Sequence, residues 1–428
     1  MFVEDIIKRV ILENIELIGS KKIIRRDFNI PSTDSIMILT GIRRCGKTYQ
    51  LYQNSVRYDS EDVLFLDFED ERLIQLSALD SYDIILDSYR RIFPGRKPVL
   101  FFDEIQSLRN WHLYLKRMHA HDYKLMVTGS NANLLSSDIA TYLTGRAIET
   151  HIFPFSFIEF LNLKGLEIST EDYYTAVPEI LNTFDDYLIN GGFPEVIKAE
   201  PGDKRVMMRS IHELILYKDL VAKYEKNSYL FQLVISKLVE NIGKSFSIIK
   251  LADKIKPVYK TSNPTVTDYV NLLSVPFVVK PVFLYRKSFV HREMERKIYF
   301  VDNSFITQNT IDNDYSRLLE NCVFNHLDRY SDEVYYYNTG NKLEVDFLCR
   351  KGQDFYAIQV SYNISDPETR NRELKAISRC VREMGLSNGL ILTYNEEGHE
   401  VSDGVNIDIM PVWKYLLTAG SAVRPDLV

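Results

Sequence analysis

A glycine-rich loop directly after an apolar run most constrains the fold of this chain. The loop, residues 41–48, has the sequence Gly-Ile-Arg-Arg-Cys-Gly-Lys-Thr, and it follows the β-prone residues 35–40. Glycines at this spacing allow the backbone to curl until its N–H groups face a phosphate, helped by the positive end of the helix that follows. The pattern is typical of a nucleoside-triphosphate-binding loop at the carboxyl edge of a sheet.

Two side chains of this loop have roles that follow from their chemistry. We expect Lys47 to reach the β- and γ-phosphates and Thr48 to hold Mg²⁺. The predicted nucleotide-binding residues are Gly41, Ile42, Arg43, Arg44, Cys45, Gly46, Lys47, Thr48 and Tyr49.

Further apolar, β-rich runs at residues 63–66, 99–102 and 124–128 are separated by segments with helical spacing. This alternation predicts an α/β fold in which helices cover both faces of a mostly parallel sheet, and the loop at residues 41–48 makes it a P-loop NTPase core. The run at 99–102 ends in Asp103 and Glu104. We expect Asp103 to hold Mg²⁺ through water and Glu104 to polarise the water that attacks the γ-phosphate, so Glu104 and Lys47 are candidate catalytic residues.

Two other polar positions are candidates for the same site. Ser130 or Asn131, at the tip of the next strand, is placed to sense the γ-phosphate. Arg146 is interpreted either as an arginine finger, acting within the chain or on a second subunit of an oligomer, or as an exposed arginine after a glycine turn. The aromatic block at residues 153–160 is expected to pack a helix onto the sheet.

Composition limits the class of protein. A chain of 428 residues with 45% apolar residues is long enough for two or three cores. No apolar run approaches the length that crosses a bilayer, so we predict a cytoplasmic protein with no membrane partner. The four cysteines are widely separated, which favours reduced thiols over disulfides or a metal site.

The middle of the chain is basic although the whole chain carries a formal charge of −7. Residues 241–300 contain eleven Lys and Arg against four Asp and Glu, which gives a local charge of +7. Helical patterns around 230–242, 248–255 and 261–273 precede two β-prone stretches at 277–285 and 297–301. Three helices closed by a hairpin describe a winged helix-turn-helix, which binds DNA in some proteins and other proteins in others.

The chain resembles a family of prokaryotic AAA-type ATPases that carry a carboxyl-terminal domain similar to restriction endonucleases. The resemblance covers nearly the whole chain and implies ATP and Mg²⁺ as cofactors and a winged helix in the middle segment. We place the domain boundaries near residues 200 and 310, which predicts domains at 1–200, 201–310 and 311–428. The resemblance rests on the motifs at residues 41–48, 101–106, 128–132, 143–146, 153–160 and 191–195.

The carboxyl-terminal segment resembles the nuclease core in its order of helix, strand, strand, strand. The resemblance gives Glu320 and Asp346 the roles of metal-binding acids, but Gln359 and Ser361 stand where an acid and a lysine are expected. A serine cannot replace a cation that orients the attacking water. We therefore expect a degenerate nuclease site at Glu320, Asp346 and Gln359, unless Lys342 or Lys351 supplies the missing charge.

Three functions remain open at this point. The first is ATP hydrolysis coupled to DNA binding or remodelling. The second is a nucleotide-controlled switch that binds protein partners. The third is a metal-dependent DNA nuclease regulated by ATP.

Overall fold

The computed structural model describes residues 3–24, 26, 33–78, 82–130, 139–166, 175, 177–286, 296–340 and 343–417. The chain forms two compact units, Met1–Phe153 and Pro154–Val428. None of the helices in these ranges combines the length and the apolar character needed to cross a lipid bilayer.

The first unit is built on a five-stranded parallel sheet, in the spatial order β2-β3-β4-β1-β5. Its strands are β1 Ile36–Thr40, β2 Val63–Asp67, β3 Val99–Asp103, β4 Leu125–Gly129 and β5 Ala147–His151. The α/β class, the parallel sheet and the four strands expected from apolar runs are confirmed. The fifth strand has no apolar run because it lies at the sheet edge with half-exposed side chains.

Helices cover this sheet. They are α1 Val3–Ser20, α2 Lys47–Ser55, α3 Asp83–Ile92 and α4 Trp111–Ala120. The first helix buries Ile7, Val10, Ile11 and Ile18, which recur at helical spacing, and it packs against α3 and β2. The hydrophobic core of the first unit is therefore formed by side chains of the sheet together with those of α1.

The second unit contains an eight-stranded mixed sheet in the order β12-β13-β11-β10-β9-β8-β6-β7. Its strands are β6 Val279–Leu284, β7 Arg296–Phe300, β8 Glu333–Asn338, β9 Glu344–Lys351, β10 Asp354–Val360, β11 Asn388–Thr393, β12 Gly398–Ser402 and β13 Val405–Pro411. The β6–β7 hairpin pairs with β8 through parallel contacts of β6. The hairpin expected for the middle segment thus shares one sheet with the carboxyl-terminal strands, and the three-domain division at 200 and 310 stays a prediction.

The second unit contains twelve described α-helices, several of which precede the first strand of this sheet in the chain. They are α5 Phe157–Lys164, α6 Val177–Asn190, α7 Pro194–Lys198, α8 Lys204–Leu214, α9 Ala222–Tyr224, α10 Ser228–Val239, α11 Ile248–Ile255, α12 Asn263–Ser274, α13 Ser304–Thr307, α14 Tyr315–Tyr330, α15 Pro367–Met384 and α16 Val412–Leu417. A π-helical stretch, Ile215–Val221, joins α8 to α9.

The aromatic block is divided between the two units, since Phe153 ends the first unit and its ring lies 4.4 Å from that of His151 on β5. Phe157 lies in the core of the second unit with Leu319, and its ring is 5.2 Å from that of Phe184. The block's composition predicts burial, but composition does not specify which of two sheets receives the side chains. The expected state of the cysteines is confirmed, since all four are free and buried.

Two histidines of the second unit are kept uncharged by their surroundings. Burial lowers the pKa of His212 to about 3, and burial with the nearby Arg329 lowers the pKa of His326 to about 3. The His326 ring packs against Tyr330 and Tyr415, at centroid distances of 4.8 and 5.0 Å. An unfolded histidine titrates near pH 6.5, so the folded state binds fewer protons below that pH.

We therefore expect the unfolding free energy to fall as pH drops from 6.5 towards 3, by about 1 kcal/mol per pH unit for each histidine. The stability contribution is complete above pH 6.5 because both states are then neutral. The melting temperature of His326→Phe should fall less between pH 7 and pH 5 than that of the wild type. Equal falls for the two proteins would show that His326 titrates normally in the folded state.

Candidate functional site

The glycine-rich loop leads from the carboxyl end of β1 into α2. Gly41 and Gly46 have φ angles of 145° and 101°, in the region that favours glycine. A Cβ at Gly41 would lie 2.2 Å from the Ile152 carbonyl oxygen, so the loop packs too closely there for any larger residue. Because α2 begins at Lys47, its first free N–H groups lie at the loop, as a phosphate site requires. The expected curl is present.

Lys47 lies inside this loop. Its Nζ donates to the carbonyl oxygens of Gly41 and Ile42, at 3.1 and 3.2 Å, and lies 3.8 Å from Glu104 Oε1. The side chain is 4% exposed. The structure thus brings together the cation expected to bind phosphates and the acid expected to polarise water.

Thr48 and Asp103 meet at the carboxyl edge of the sheet. Thr48 Oγ1 donates to Asp103 Oδ2 at 2.6 Å, and Thr128 Oγ1 donates to Asp103 Oδ1. A hydroxyl oxygen and a buried carboxylate are the ligands that Mg²⁺ prefers, so these residues fit the ion that the fold implies. Burial and the neighbouring carboxylates of Glu104 and Asp67 raise the pKa of Asp103 to about 7, although both hydroxyl donors oppose the rise. The site therefore favours a bound cation.

Glu104 is fixed by two neighbours that sequence reasoning did not assign to it. Its backbone N–H donates to Thr128 Oγ1 at 2.9 Å, and Gln106 Nε2 donates to its Oε2 at 2.5 Å. Glu104 itself has a left-handed φ of 48°. The signal for Thr128 was available, because a polar residue ending β4 lies at the same sheet edge as the residues ending β1 and β3.

The other predicted loop residues have mainly structural contacts. Arg43 makes two hydrogen bonds of 3.1 Å to the Glu69 carboxylate. Ile42 and Cys45 are fully buried, Arg44 has a left-handed φ of 69°, and Tyr49 packs edge-on against Tyr52. Burial raises the pKa of the Cys45 thiol despite the nearby Lys47 and Arg26, which keeps the thiol protonated. A protonated thiol is a poor nucleophile, so Cys45 serves as a spacer within the loop.

Arg26 is a contact of the loop that sequence reasoning missed. Its guanidinium donates to the Cys45 carbonyl at 3.0 Å and to the Phe153 carbonyl at 2.9 Å, and the residue is 6% exposed. It therefore ties the loop to the segment after β5. Nothing in the local sequence pattern marks this arginine among the others.

Arg146 lies at the opposite edge of the sheet from the loop. Its carbonyl accepts from the Ile36 N–H at the start of β1, whereas the loop follows Thr40 at the end of that strand. Five residues of strand separate the two edges by about 16 Å. The side chain is exposed, so action on a second subunit stays a prediction for Arg146. Ser130 directly follows β4, at the same edge of the sheet as the glycine-rich loop, and is buried. Asn131 falls outside the described residues.

A second polar cluster lies in the second unit. Glu320 on α14 and Asp346 on β9 are brought together as expected, and both approach Lys297 on β7. Gln359 lies beside them, where its Oε1 accepts from the Asp346 N–H at 3.2 Å. Lys351 is exposed at the end of β9, and Lys342 falls outside the described residues. The lysine that the described residues place beside these acids is therefore Lys297. Sequence reasoning counted Lys297 only in the charge of residues 241–300.

Three family models match the chain. Residues 33–161 match the AAA domain family, residues 181–315 match a domain of unknown function named DUF8612, and residues 315–415 match another named DUF4143. The AAA match covers the glycine-rich loop, β1 to β5 and the acids at the end of β3.

Several solved structures are similar to parts of the chain. The Walker-type ATPase PABY2304 of Pyrococcus abyssi is 16% identical, with a TM-score of 0.40 over 68% of this chain and 99% of that one. AMPPCP-bound DnaA from Aquifex aeolicus is 14% identical, with a TM-score of 0.29 over 61% of this chain and 85% of that one. These low TM-scores do not establish a shared overall fold.

Relatives with similar sequences extend over most of the chain. An uncharacterized protein of Haemophilus influenzae is 28% identical, over 82% of this chain and 88% of the relative. The uncharacterized protein MJ1544 of Methanocaldococcus jannaschii is 32% identical over 426 residues, which are 96% of this chain and 95% of the relative. The protein therefore belongs to the same family as MJ1544 and carries an AAA domain at residues 33–161.

Proposed function

We propose that the protein binds and hydrolyses ATP with Mg²⁺ in its first unit and couples hydrolysis to DNA binding by the second. The observation that carries the first half is the 2.6 Å hydrogen bond between Thr48 Oγ1 and Asp103 Oδ2. It joins the phosphate loop to the acid ending β3, which are the two parts that hold the metal in P-loop NTPases.

The chemistry assigned to this chain's residues follows from their positions. Bound Mg²⁺ would supply positive charge to the transferring phosphate. The free N–H groups of the loop and the Lys47 ammonium bind phosphate oxygens, and Lys47 exchanges its bonds to loop carbonyls for them. Thr128 orients Asp103, and Glu104 accepts a proton from the attacking water. Burial of these groups strengthens each of these interactions.

The second half of the proposal rests on a segment that we call the helix–hairpin module, residues 228–300. It contains α10, α11 and α12 followed by the β6–β7 hairpin, and an isolated antiparallel bridge pairs Phe246 with Arg296. Three helices, a short bridge before the second of them and a closing hairpin support a winged helix-turn-helix. The carboxyl-terminal helix α14 and strands β8 to β10 likewise support a nuclease-like core.

The charges of this module favour contact through α11 rather than through α12. The third helix, α12, contains no lysine or arginine. Exposed lysines are found on and around α11, at Lys244, Lys250, Lys254, Lys256 and Lys260. Three lysines that contribute to the local charge of +7 are paired with acids, since Lys256 pairs with Asp253, Lys280 pairs with Asp328 and Lys297 is buried among acids. We therefore propose that α11 grips the DNA backbone, which carries affinity but little sequence specificity.

ATP turnover measured with and without DNA tests the coupling. We expect DNA to raise the rate several-fold, and Lys250→Glu/Lys254→Glu to weaken DNA binding about tenfold or more and remove the stimulation. Basal turnover of this double variant should stay at the wild-type level, because both residues lie outside the first unit. The matched control is Lys97→Glu/Lys116→Glu, which makes the same charge change at exposed lysines of the first unit.

A protein-binding switch is the second candidate, and the absence of basic residues from α12 favours it. In that case ATP would govern assembly rather than action on DNA. Turnover that no form of DNA changes, together with a nucleotide-dependent change in mass by light scattering, would contradict the DNA proposal and support the switch. Loss of turnover in Lys47→Ala is expected under both.

A further inference from the structure

The ammonium of Lys297 lies at the centre of three carboxylates. Its Nζ is 3.0 Å from Glu344 Oε1, 3.2 Å from Asp346 Oδ1 and 3.4 Å from Glu320 Oε1. The side chain has 0% exposure. An ammonium group has three N–H donors, so one lysine can satisfy the three acids. We call Lys297, Glu320, Glu344 and Asp346 the lysine cluster.

Two of the three acids also accept hydrogen bonds from other groups of the chain. Asp346 Oδ2 accepts from the Val360 N–H at 3.0 Å, and Glu320 Oε1 accepts from the Tyr299 hydroxyl at 2.6 Å. Gln359 turns away from the acids, since its Oε1 binds the Asp346 N–H and its Nε2 donates to Glu373 at 2.7 Å. The amide that stands in place of a metal-binding acid is therefore already engaged.

These residues do not fit a divalent cation. In a nuclease of this architecture the acids of α14 and β9 hold Mg²⁺, and the lysine stands beside the metal where it can reach the attacking water. Here the lysine nitrogen lies among the acids themselves. Across the described ranges, no group of three or more His, Cys, Asp and Glu has a metal-binding arrangement. A fully buried ammonium cannot orient a water that must also reach a DNA phosphate.

The charges of the cluster favour a permanent ammonium. Burial on its own lowers the pKa of Lys297, but Tyr299 and the acids Glu320, Asp346 and Glu344 outweigh burial and raise the pKa well above its ordinary value. Burial and Asp346 raise the pKa of Glu320 to about 7. The positive charge among these acids is thus the ammonium group of Lys297, which belongs to the chain itself.

We infer that Lys297 takes the position of the divalent metal ion in the nuclease-like domain, so that this domain binds no catalytic metal and does not cleave DNA. The cluster instead joins three elements, because Lys297 belongs to β7, Glu320 to α14 and the other two acids to β9. It thereby fixes the hairpin of the helix–hairpin module to the nuclease-like strands. The inference goes beyond the proposed ATPase function and does not depend on it.

Mn²⁺ binding to the full-length, nucleotide-free protein tests this inference, with free Mn²⁺ followed by electron paramagnetic resonance. Four proteins are compared: the wild type, Glu344→Ala, Lys297→Ala and Lys297→Ala/Glu344→Ala. Glu344 is the suitable acid to remove because it is the most exposed of the three, at 36%. Any Mn²⁺ bound at the phosphate loop is common to all four proteins and cancels.

We expect the wild type and Glu344→Ala to bind the same amount of Mn²⁺. Lys297→Ala should bind about one more ion per chain than the wild type, and the double variant Lys297→Ala/Glu344→Ala should lose this additional ion. Lys297→Ala should also melt at a higher temperature when Mn²⁺ is added. An ion that the wild type binds and Glu344→Ala loses would overturn the inference, as would a folded Lys297→Ala that gains none. If Lys297→Ala does not fold, the wild type and Glu344→Ala decide the question.

Discussion

Replacing Glu104 by Gln is expected to lower ATP turnover by about 100- to 1000-fold while leaving ATP affinity within a few-fold of the wild type. The amide cannot accept a proton from the attacking water, but it keeps the shape of the side chain. Binding should persist because the phosphate contacts belong to the loop and Lys47, and Lys47 keeps its bonds to the Gly41 and Ile42 carbonyls in the variant. Single-turnover hydrolysis of radiolabelled ATP and fluorescent-nucleotide titration measure the two quantities separately.

The matched control is Glu71→Gln, the same change at an exposed glutamate of the first unit, which should leave turnover unchanged. Asp67→Asn distinguishes the nearest rival, because Asp67 ends the neighbouring strand in register with Asp103. If Asp67→Asn abolished turnover and Glu104→Gln did not, the assignment of the general base to Glu104 would be wrong. Removal of Mg²⁺ by EDTA should stop hydrolysis in every variant.

The arrangement of the candidate nucleotide site could be predicted from sequence because its residues follow one rule. Lys47 and Thr48 follow the loop after β1, and Asp103 and Glu104 lie at the end of β3, so all four lie at the edge where the carboxyl ends of the parallel strands meet. Short runs of apolar residues identify such strands well. Arg146 shows where the rule ends, because it precedes a strand instead of following one and therefore lies at the far edge.

The lysine cluster could not be predicted in the same way. Lys297 is 23 residues from Glu320 and 49 from Asp346, and it comes from a hairpin that the sequence assigned to a different module. The pairing of β6 with β8, and the hydrogen bonds of Phe300 on β7 to Asn321 on α14, bring that hairpin to the acids. A lysine in a basic segment is ordinarily interpreted as solvated, since lysine is seldom fully buried. Lys297 is buried because β6 pairs with β8, and such pairing between strands distant in sequence cannot be inferred from the local pattern of residues.

The Gly-Gly-Phe-Pro-Glu motif at residues 191–195 also acquires a physical explanation from a distant residue. The carboxylate of Asp302 lies directly against Gly191, accepts from the Gly192 N–H at 2.7 Å and accepts from the Ser304 N–H at 2.9 Å. Asp302 is 4% exposed, and burial raises its pKa to about 6. A buried carboxylate is stable only when it is hydrogen-bonded, so Asp302 is held in this position by its two N–H donors. In this position it leaves no room for a side chain at Gly191.

Gly191→Ala is therefore expected to destabilise the second unit by about 3 kcal/mol, from left-handed backbone strain and lost hydrogen bonds of Asp302. A Cβ there would lie 1.9 Å from Asp302 Oδ1, and the residue has a φ of 74°. For a unit of this size the loss corresponds to about 6–12 °C in melting temperature. Calorimetry of the full chain measures it, and added nucleotide distinguishes the transition of the first unit, which alone should shift upward.

Gly202→Ala makes the same chemical change where open space surrounds the glycine, in a turn between α7 and α8. It should change the melting temperature by less than about 2 °C, since surface substitutions are usually close to neutral. Equal effects of the two substitutions would mean that the Asp302 carboxylate can move away at little cost. A large effect at Gly191 alone would show that the motif serves the packing of the second unit, and that its glycine is needed whether or not ATP is bound.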